Sequence, residues 1–488
     1  MKFILPRCMN LVGGFEVKKA VLKYFLLFAF LFLSVWASDA SAMEYNIMPV
    51  NPAMVAPFVL LLLAIALIPF INVHWWEKRY PLVSFGLGVV VVIYYFFILH
   101  NGPRMVGTAL EYFSFIALIG SLFVVSGGIH IRIKGRATPV ANVILLAIGA
   151  IIANLLGTTG ASMVLIRSYI RTNKYRISGY HIVFFIFVVS NIGGMLTPLG
   201  DPPLFLGYLK GVPFFWVIGR VWLIWLIANA AVLLIFYIID RHNYKKMPDA
   251  LEREVEKKGE HPIVEGIHNA VFLLVIIGAV FLPEPIREIT MIGAAVASYF
   301  TTKRKIHERN EFNFIPLKEV VILFAGIFAT MVPALDWLEL NAGSIGVTTL
   351  AQFYWGAGVL SSFLDNAPTY LSFLTAAFGL HGLNVDNAAH MEAMLGMLSP
   401  HDLAHLKTLH SSMVQPITSY SWKYIQAISA GAVLFGANTY IGNGPNFMVK
   451  SIADQAKVKM PTFIGYMVKY SIPILMPIFA VIWYLFFR

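Results

Sequence analysis

Apolar runs long enough to cross about 30 Å of hydrocarbon recur at roughly 52–70, 82–99, 110–129, 180–210, 214–239, 268–282, 284–301, 317–333, 424–450 and 463–487. Two further runs, roughly 140–170 and 344–379, carry polar tips, "GTTGAS" (157–162) and "DNAPT" (365–369). A run with a polar tip fits a helical hairpin that enters and leaves the bilayer on one side. The pattern predicts an all-α polytopic membrane protein of ten spanning helices plus two re-entrant hairpins. Two of the spans are themselves interrupted, by "SNIGGMLTPLGDPP" (190–203) and "GANTYIGNGPN" (436–446).

Unpaired backbone in hydrocarbon costs several kcal/mol per group, so such a break survives only where protein encloses it or where it lines a cavity. Gly193 and Gly194 permit close approach, and Pro198, Pro202 and Pro203 stop the helix from continuing. The freed carbonyls and helix ends then face a cavity to which Asn191, Thr197, Gly200 and Asp201 contribute polar atoms. The second break offers Asn438, Thr439, Gly442 and Asn443.

These features occur twice. A shift of 242 residues lays "TPLGDPPLF" (197–205) on "TYIGNGPNF" (439–447), with Asp201 falling on Asn443. A shift of 207 lays the first hairpin on the second, Thr159 on Asn366 and Ser162 on Thr369. Each half holds five crossings, an odd number, so the halves face opposite ways. Inverted repeats with a broken helix in each half are a transporter architecture. The expected division is a first membrane repeat over 43–240, a cytoplasmic linker over 241–266 and a second repeat over 267–488. An external insertion at 377–422 lies within the second repeat.

Composition agrees: 58% of the 488 residues are hydrophobic and only 12% charged, where a soluble domain carries about a quarter. The net charge of +11 reads as cytoplasmic anchoring rather than nucleic-acid binding. With the mature N-terminus outside, "WEKRY" (76–80), "IRIKGR" (131–136), "RSYIRTNKYR" (167–176), "TTKRKIHER" (301–309) and "KSIADQAKVK" (450–459) all fall in the cytoplasm, as the positive-inside bias requires. The C-terminus then lies outside. Residues 1–42 have the charged, apolar, small-residue order of a secretory signal peptide, the alternative being an uncleaved first helix. Cys8 is the single cysteine, which excludes an internal disulfide. His401 and His405, four apart in the insertion, have a spacing found in zinc sites, but a solvated amphipathic cap is the plainer reading.

The cavity chemistry rests on two intramembrane carboxylates, Asp201 and Asp365, the pair expected to hold sodium. Thr158, Thr159, Ser162, Asn366 and Thr369 at the hairpin tips supply neutral oxygens. Arg220 and Lys469 are the nearest basic residues, each placed to snorkel toward the surface. Carboxylates, carbonyls and hydroxyls without a fixed cation suit sodium or a proton, and competition between the two is the chemistry of an antiporter. No phosphate-binding loop is present, so neither ATP-driven transport nor an ATPase subunit is expected, and the chain does not read as an enzyme or as a cofactor protein. An intramembrane aspartyl protease also uses two aspartates but leaves the doubled pattern unexplained.

The paired tips and the two breaks resemble the ion transporter superfamily. Within it they are similar to the branch of bacterial sodium/proton antiporters and citrate transporters, from about residue 50 to the end. The resemblance implies a scaffold part and a transport part in each half, a homodimer in the bacterial inner membrane, and elevator-type alternating access. It also implies that aspartates at the positions of Asp201 and Asp365 carry cation and proton exchange. Carboxylate carriers of the superfamily have Ser-Asn-Thr tips, where this chain has "GTTGAS" and "DNAPT". The reading is therefore a sodium/proton antiporter, with a sodium- or proton-coupled citrate or dicarboxylate transporter as the alternative.

Overall fold

A computed structural model describes residues 47–134, 137–246, 260–409 and 414–488; the leader with Cys8 lies outside the described residues. The protein is nearly all helical, and among the described residues eight helices are long and apolar enough to cross a membrane. After a short 3₁₀ turn come α1 (Ala56–Ile71), α2 (Val73–Ile93) and α3 (Gly102–Gly127), then β1 (His130–Lys134) and α4 (Pro139–Thr172). Next are α5 (Gly179–Val188), α6 (Pro202–Leu209) and α7 (Phe214–Tyr244). The second part follows β2 (Glu260–Glu265) with α8 (Asn269–Ala279), α9 (Ile286–Thr301), α10 (Arg304–Arg309) and α11 (Ile315–Asn341). Then come α12 (Leu350–Phe363), α13 (Asn366–Leu380), α14 (Ala388–Leu395), α15 (Pro400–Leu409), α16 (Trp422–Phe435), α17 (Gly444–Gln455) and a final stretch, Phe463–Phe486, with π-helical turns in it.

Both polar-tipped runs fold back on themselves. Within α4 the helix is broken at Gly157, whose φ of 73° lies in the left-handed region open to glycine. A Cβ on Gly149 would lie 3.2 Å from Leu165 Cδ1; sixteen residues of straight helix would hold them about 24 Å apart. In the second run, the Phe353 ring on α12 meets that of Phe373 on α13 edge-on at 6.1 Å. The first arm of each hairpin starts on a threonine cap: Thr138 Oγ1 accepts the Ala141 N–H, and Thr349 Oγ1 accepts the Gln352 N–H. The interrupted spans are likewise broken, α5 from α6 and α16 from α17, each through a 3₁₀ turn.

Several of the basic loops gather on one face. β1 pairs antiparallel with β2, His130 opposite Glu265, a pairing that the all-helical reading did not foresee. It takes the end of the expected 241–266 linker into a strand, while α7 runs on to Tyr244. Asn310 Nδ2 donates to the Gly127 and Ile129 carbonyls at 2.8 Å, and Arg167 pairs with Glu311 at 3.0 Å. Asn142, Asn173, Arg176 and Tyr180 enclose a buried Asp240 near the ends of α4 and α7.

At the other end of α3, about 39 Å away by helical rise, lies a second buried ionic network. Arg104 and Asp336 are 2% and 1% exposed and pair at 3.0 Å. Tyr95 Oη donates to the second oxygen of Asp336 at 2.7 Å, and Asp386 accepts from Arg104 and Lys210. Lys210, at the end of α6, also reaches Glu111 on α3 at 2.7 Å. This network ties the element that follows the first break to the long helices α3 and α11. Asp336→Ala leaves the Arg104 guanidinium short of a buried partner and should cost about 3–5 kcal/mol, read as a lower Tm in detergent. Asp336→Asn, which keeps the hydrogen-bonding shape, should cost less; equal and negligible shifts would show that the network carries no stability.

Candidate functional site

Proline at the start of α6 and of α17 ends each break, and one threonine organises each loop. Thr197 Oγ1 donates to the Asn154 carbonyl at 2.7 Å and accepts the Gly200 N–H at 3.1 Å. Thr439 Oγ1 donates to the Ser362 carbonyl and accepts the Gly442 N–H at 3.1 Å. In both loops a hydroxyl replaces helical hydrogen bonds that proline and glycine have removed.

Asp201 is 1% exposed and sits where the two breaks and both hairpin tips converge. Thr158 Oγ1 of the first tip donates to its Oδ1 at 3.1 Å, and Asn443 Nδ2 of the second break donates to the same oxygen at 2.9 Å. Asn366 Nδ2 of the second tip donates to Oδ2 at 2.7 Å. The Thr158 N–H also bonds the Gly200 carbonyl at 2.8 Å. Three donors from three separate elements thus hold one carboxylate, and none of them is a fixed positive charge.

Near this centre two amide oxygens are buried without a hydrogen-bond partner, Asn191 Oδ1 and Asn366 Oδ1; a third, Asn438 Oδ1, belongs to the second break beside Ser362 and Met476. Asn191 spends its Nδ2 on the Ile186 carbonyl and Asn446 Oδ1, both at 2.7 Å. Asn438 spends its own on Ser362 Oγ at 3.0 Å. A Cβ on Gly436 would stand 3.2 Å from both Asn191 Oδ1 and the Gly442 carbonyl, and 3.5 Å from the Asn366 amide. Buried acceptors are seldom left unpaired, and a cation is the partner that several oxygens accept at once. Beside Asp201 lies a cavity of about 40 Å³, lined by Gly157, Thr158, Thr159, Pro198, Gly200 and Asp201 and walled by apolar side chains of α3. It has room for about one water or one small ion.

Asp365, the residue before Asn366, lies within electrostatic reach of Asp201. Its carboxylate also accepts its own helix's Ala367 N–H at 3.0 Å, as an N-cap, and it stands outside the lining of the small cavity beside Asp201. Thr369 Oγ1 likewise bonds within its helix, to the Asp365 carbonyl at 3.0 Å. Ser162 Oγ meets Ser190 Oγ at 2.8 Å, which joins the first tip's helix to the first break. Arg220 lies on the exposed side with its guanidinium over Trp422, 3.9 Å from the ring centre, and Lys469 is exposed. In the insertion, His390 Nδ1 accepts the Asn384 N–H at 2.9 Å. No group of three His, Cys, Asp or Glu able to hold a metal occurs among the described residues.

Two asparagines that the sequence reading did not single out bind the breaks. Asn154 Nδ2 donates to the Gly193 carbonyl at 2.7 Å while its Oδ1 accepts the Leu196 N–H at 2.9 Å. Asn446 Nδ2 donates to the Gly436 and Thr439 carbonyls at 2.9 Å. The signal for both was an amide in an apolar run, and Asn446 stands inside the quoted second break. A family profile described as "Putative citrate transport" matches residues 48–487. None of the curated proteins compared with the chain matches it.

Proposed function

This chain belongs to that citrate-transport family, and from this premise we propose that it is a secondary transporter which binds a monovalent cation, sodium, at Asp201 and exchanges it for protons. One observation carries the reading: a buried carboxylate held only by neutral donors, with unpaired amide oxygens around it and a small cavity at its side. No basic residue lines that cavity. A cation completes such a set, whereas a citrate trianion finds in it neither a positive partner nor the space of several hundred Å³ that small-molecule pockets offer.

The mechanism follows from the cost of charge in hydrocarbon. With sodium or a proton on Asp201 the site is neutralised and its transfer between the two faces is cheap; empty, it carries a bare charge and stays. Exchange results because each passage requires a load and both loads need the same oxygens. The paired breaks and tips are read as halves of an inverted repeat that moves against α3 in an elevator-type step.

The family's description favours a second reading, cation-coupled citrate uptake, with Asp201 binding the coupling ion. Purified protein in liposomes, given a sodium gradient and no organic anion, separates the two. The expected result is proton movement driven by the sodium gradient. Acidifying the loading side should raise the half-saturation constant for sodium and leave the maximal rate nearly unchanged. Sodium flux that needs citrate, with no proton movement at acidic, neutral or alkaline pH, would replace exchange by citrate uptake.

A further inference from the structure

Far from Asp201, on the face where β1 meets β2, a cavity of about 550 Å³ opens between β2, the start of α8 and the end of α9. Its lining includes Lys303, Lys305, Arg309, His268 and Glu265. Arg309 is paired with Glu265. Lys303 and Lys305 are exposed, and among the described residues neither makes an ion pair, so there the cavity presents two lysine charges without a carboxylate partner.

Its walls are fixed by buried polar contacts. Asn269, fully buried, donates to the Gly128 carbonyl at 2.8 Å and to Thr302 Oγ1 at 2.9 Å, and accepts from Ser298 Oγ at 2.6 Å. Ile306 closes the interior and is 6% exposed. From the cavity mouth an apolar track leads along α8: Ile267, Val271 and Leu274 are 66%, 61% and 66% exposed. Val271 and Leu274, three apart, share one side of α8, and Ile267 stands in the turn just before it.

We propose that this cavity is a binding site for the phosphate headgroup of an anionic phospholipid, with the acyl chains lying along Ile267, Val271 and Leu274. A phosphodiester meets the two lysines, the size of the cavity suits a headgroup, and basic pockets beside membrane helices on the positively charged side attract such lipids. The apolar track selects a lipid over a soluble phosphate, which has nothing to place on it.

The test is native mass spectrometry of the purified full chain in detergent with phosphatidylglycerol, phosphatidylcholine or glycerol phosphate added. Phosphatidylglycerol should be retained preferentially. The double variant Lys303→Gln with Lys305→Gln should hold it roughly thirtyfold more weakly, with an unchanged Tm in lipid-free detergent, since both side chains are exposed. Equal retention of phosphatidylcholine, or undiminished phosphatidylglycerol binding in the double variant, would overturn the site. Glycerol phosphate binding as tightly as the lipid would overturn the track.

Discussion

Asp201→Asn is expected to abolish sodium/proton exchange while leaving the protein folded. Proteoliposomes bearing the variant should show the proton movement of empty liposomes, because the amide accepts neither a proton nor a counter-charge for sodium. The fold should survive for a local reason. Asp201 Oδ2 now takes the Asn366 Nδ2 donor, and an asparagine amide there would oppose donor to donor. Asn366 can turn over its own amide, since its Oδ1 has no partner to lose, and the pair is remade in the opposite sense. Oδ1 of the new side chain still accepts from Thr158 and Asn443. The stability change should therefore stay within about 1 kcal/mol, the worth of a hydrogen bond, read as a nearly unchanged Tm. Exchange at the wild-type rate in a folded variant would reduce Asp201 to a structural acceptor and remove the proposed site.

Much of this centre was legible because the residues that break a transmembrane helix are hard to mistake. Glycine and proline in an apolar run have few structural uses, and an aspartate among them has fewer. Hydropathy alone also located the hairpins, whose reversal at Gly157 the polar tip announces. Periodicity carries no information on which partner a side chain meets across 165 or 242 residues, so the donors to Asp201 could be named as site residues but not paired with it. The same limit applies to Asp365. Charge and position match it with Asp201, and the two lie within electrostatic reach; that it also caps α13, from the position just before the helix, only the backbone shows. The strand pairing of 130–134 with 260–265 was hidden for a different reason: each strand is short, and only the other makes it a strand. The network around Arg104, Lys210 and Asp336 was missed because each charge taken singly reads as the end of a span.

Gly200→Ala should do what the Asp201 substitution does not and unfold the site. A Cβ on Gly200 would lie 2.0 Å from the Gly194 carbonyl oxygen, 2.7 Å from its carbon and 2.9 Å from Gly194 Cα. All three are backbone atoms of the same break, so no rotamer change relieves the overlap. Nor can Gly200 retreat freely: its N–H is held by Thr197 and its carbonyl by the Thr158 N–H. Retreat would pull Thr158 away from Asp201 and so damage the carboxylate's setting from the side. Overpacking in a closed core costs about 1–3 kcal/mol, and contact with fixed backbone puts this case at or above the upper figure. The expected outcome is a clear fall in Tm together with loss of transport. Gly444→Ala is the control, because a Cβ there meets nothing within 4 Å and alanine suits the first turn of α17 better than glycine does. That variant should keep its Tm and its flux. If Gly200→Ala behaved like Gly444→Ala, the close approach of Gly194 and Gly200 would not exist in the folded protein, and the geometry that sets Asp201 between the two breaks would have to be given up with it.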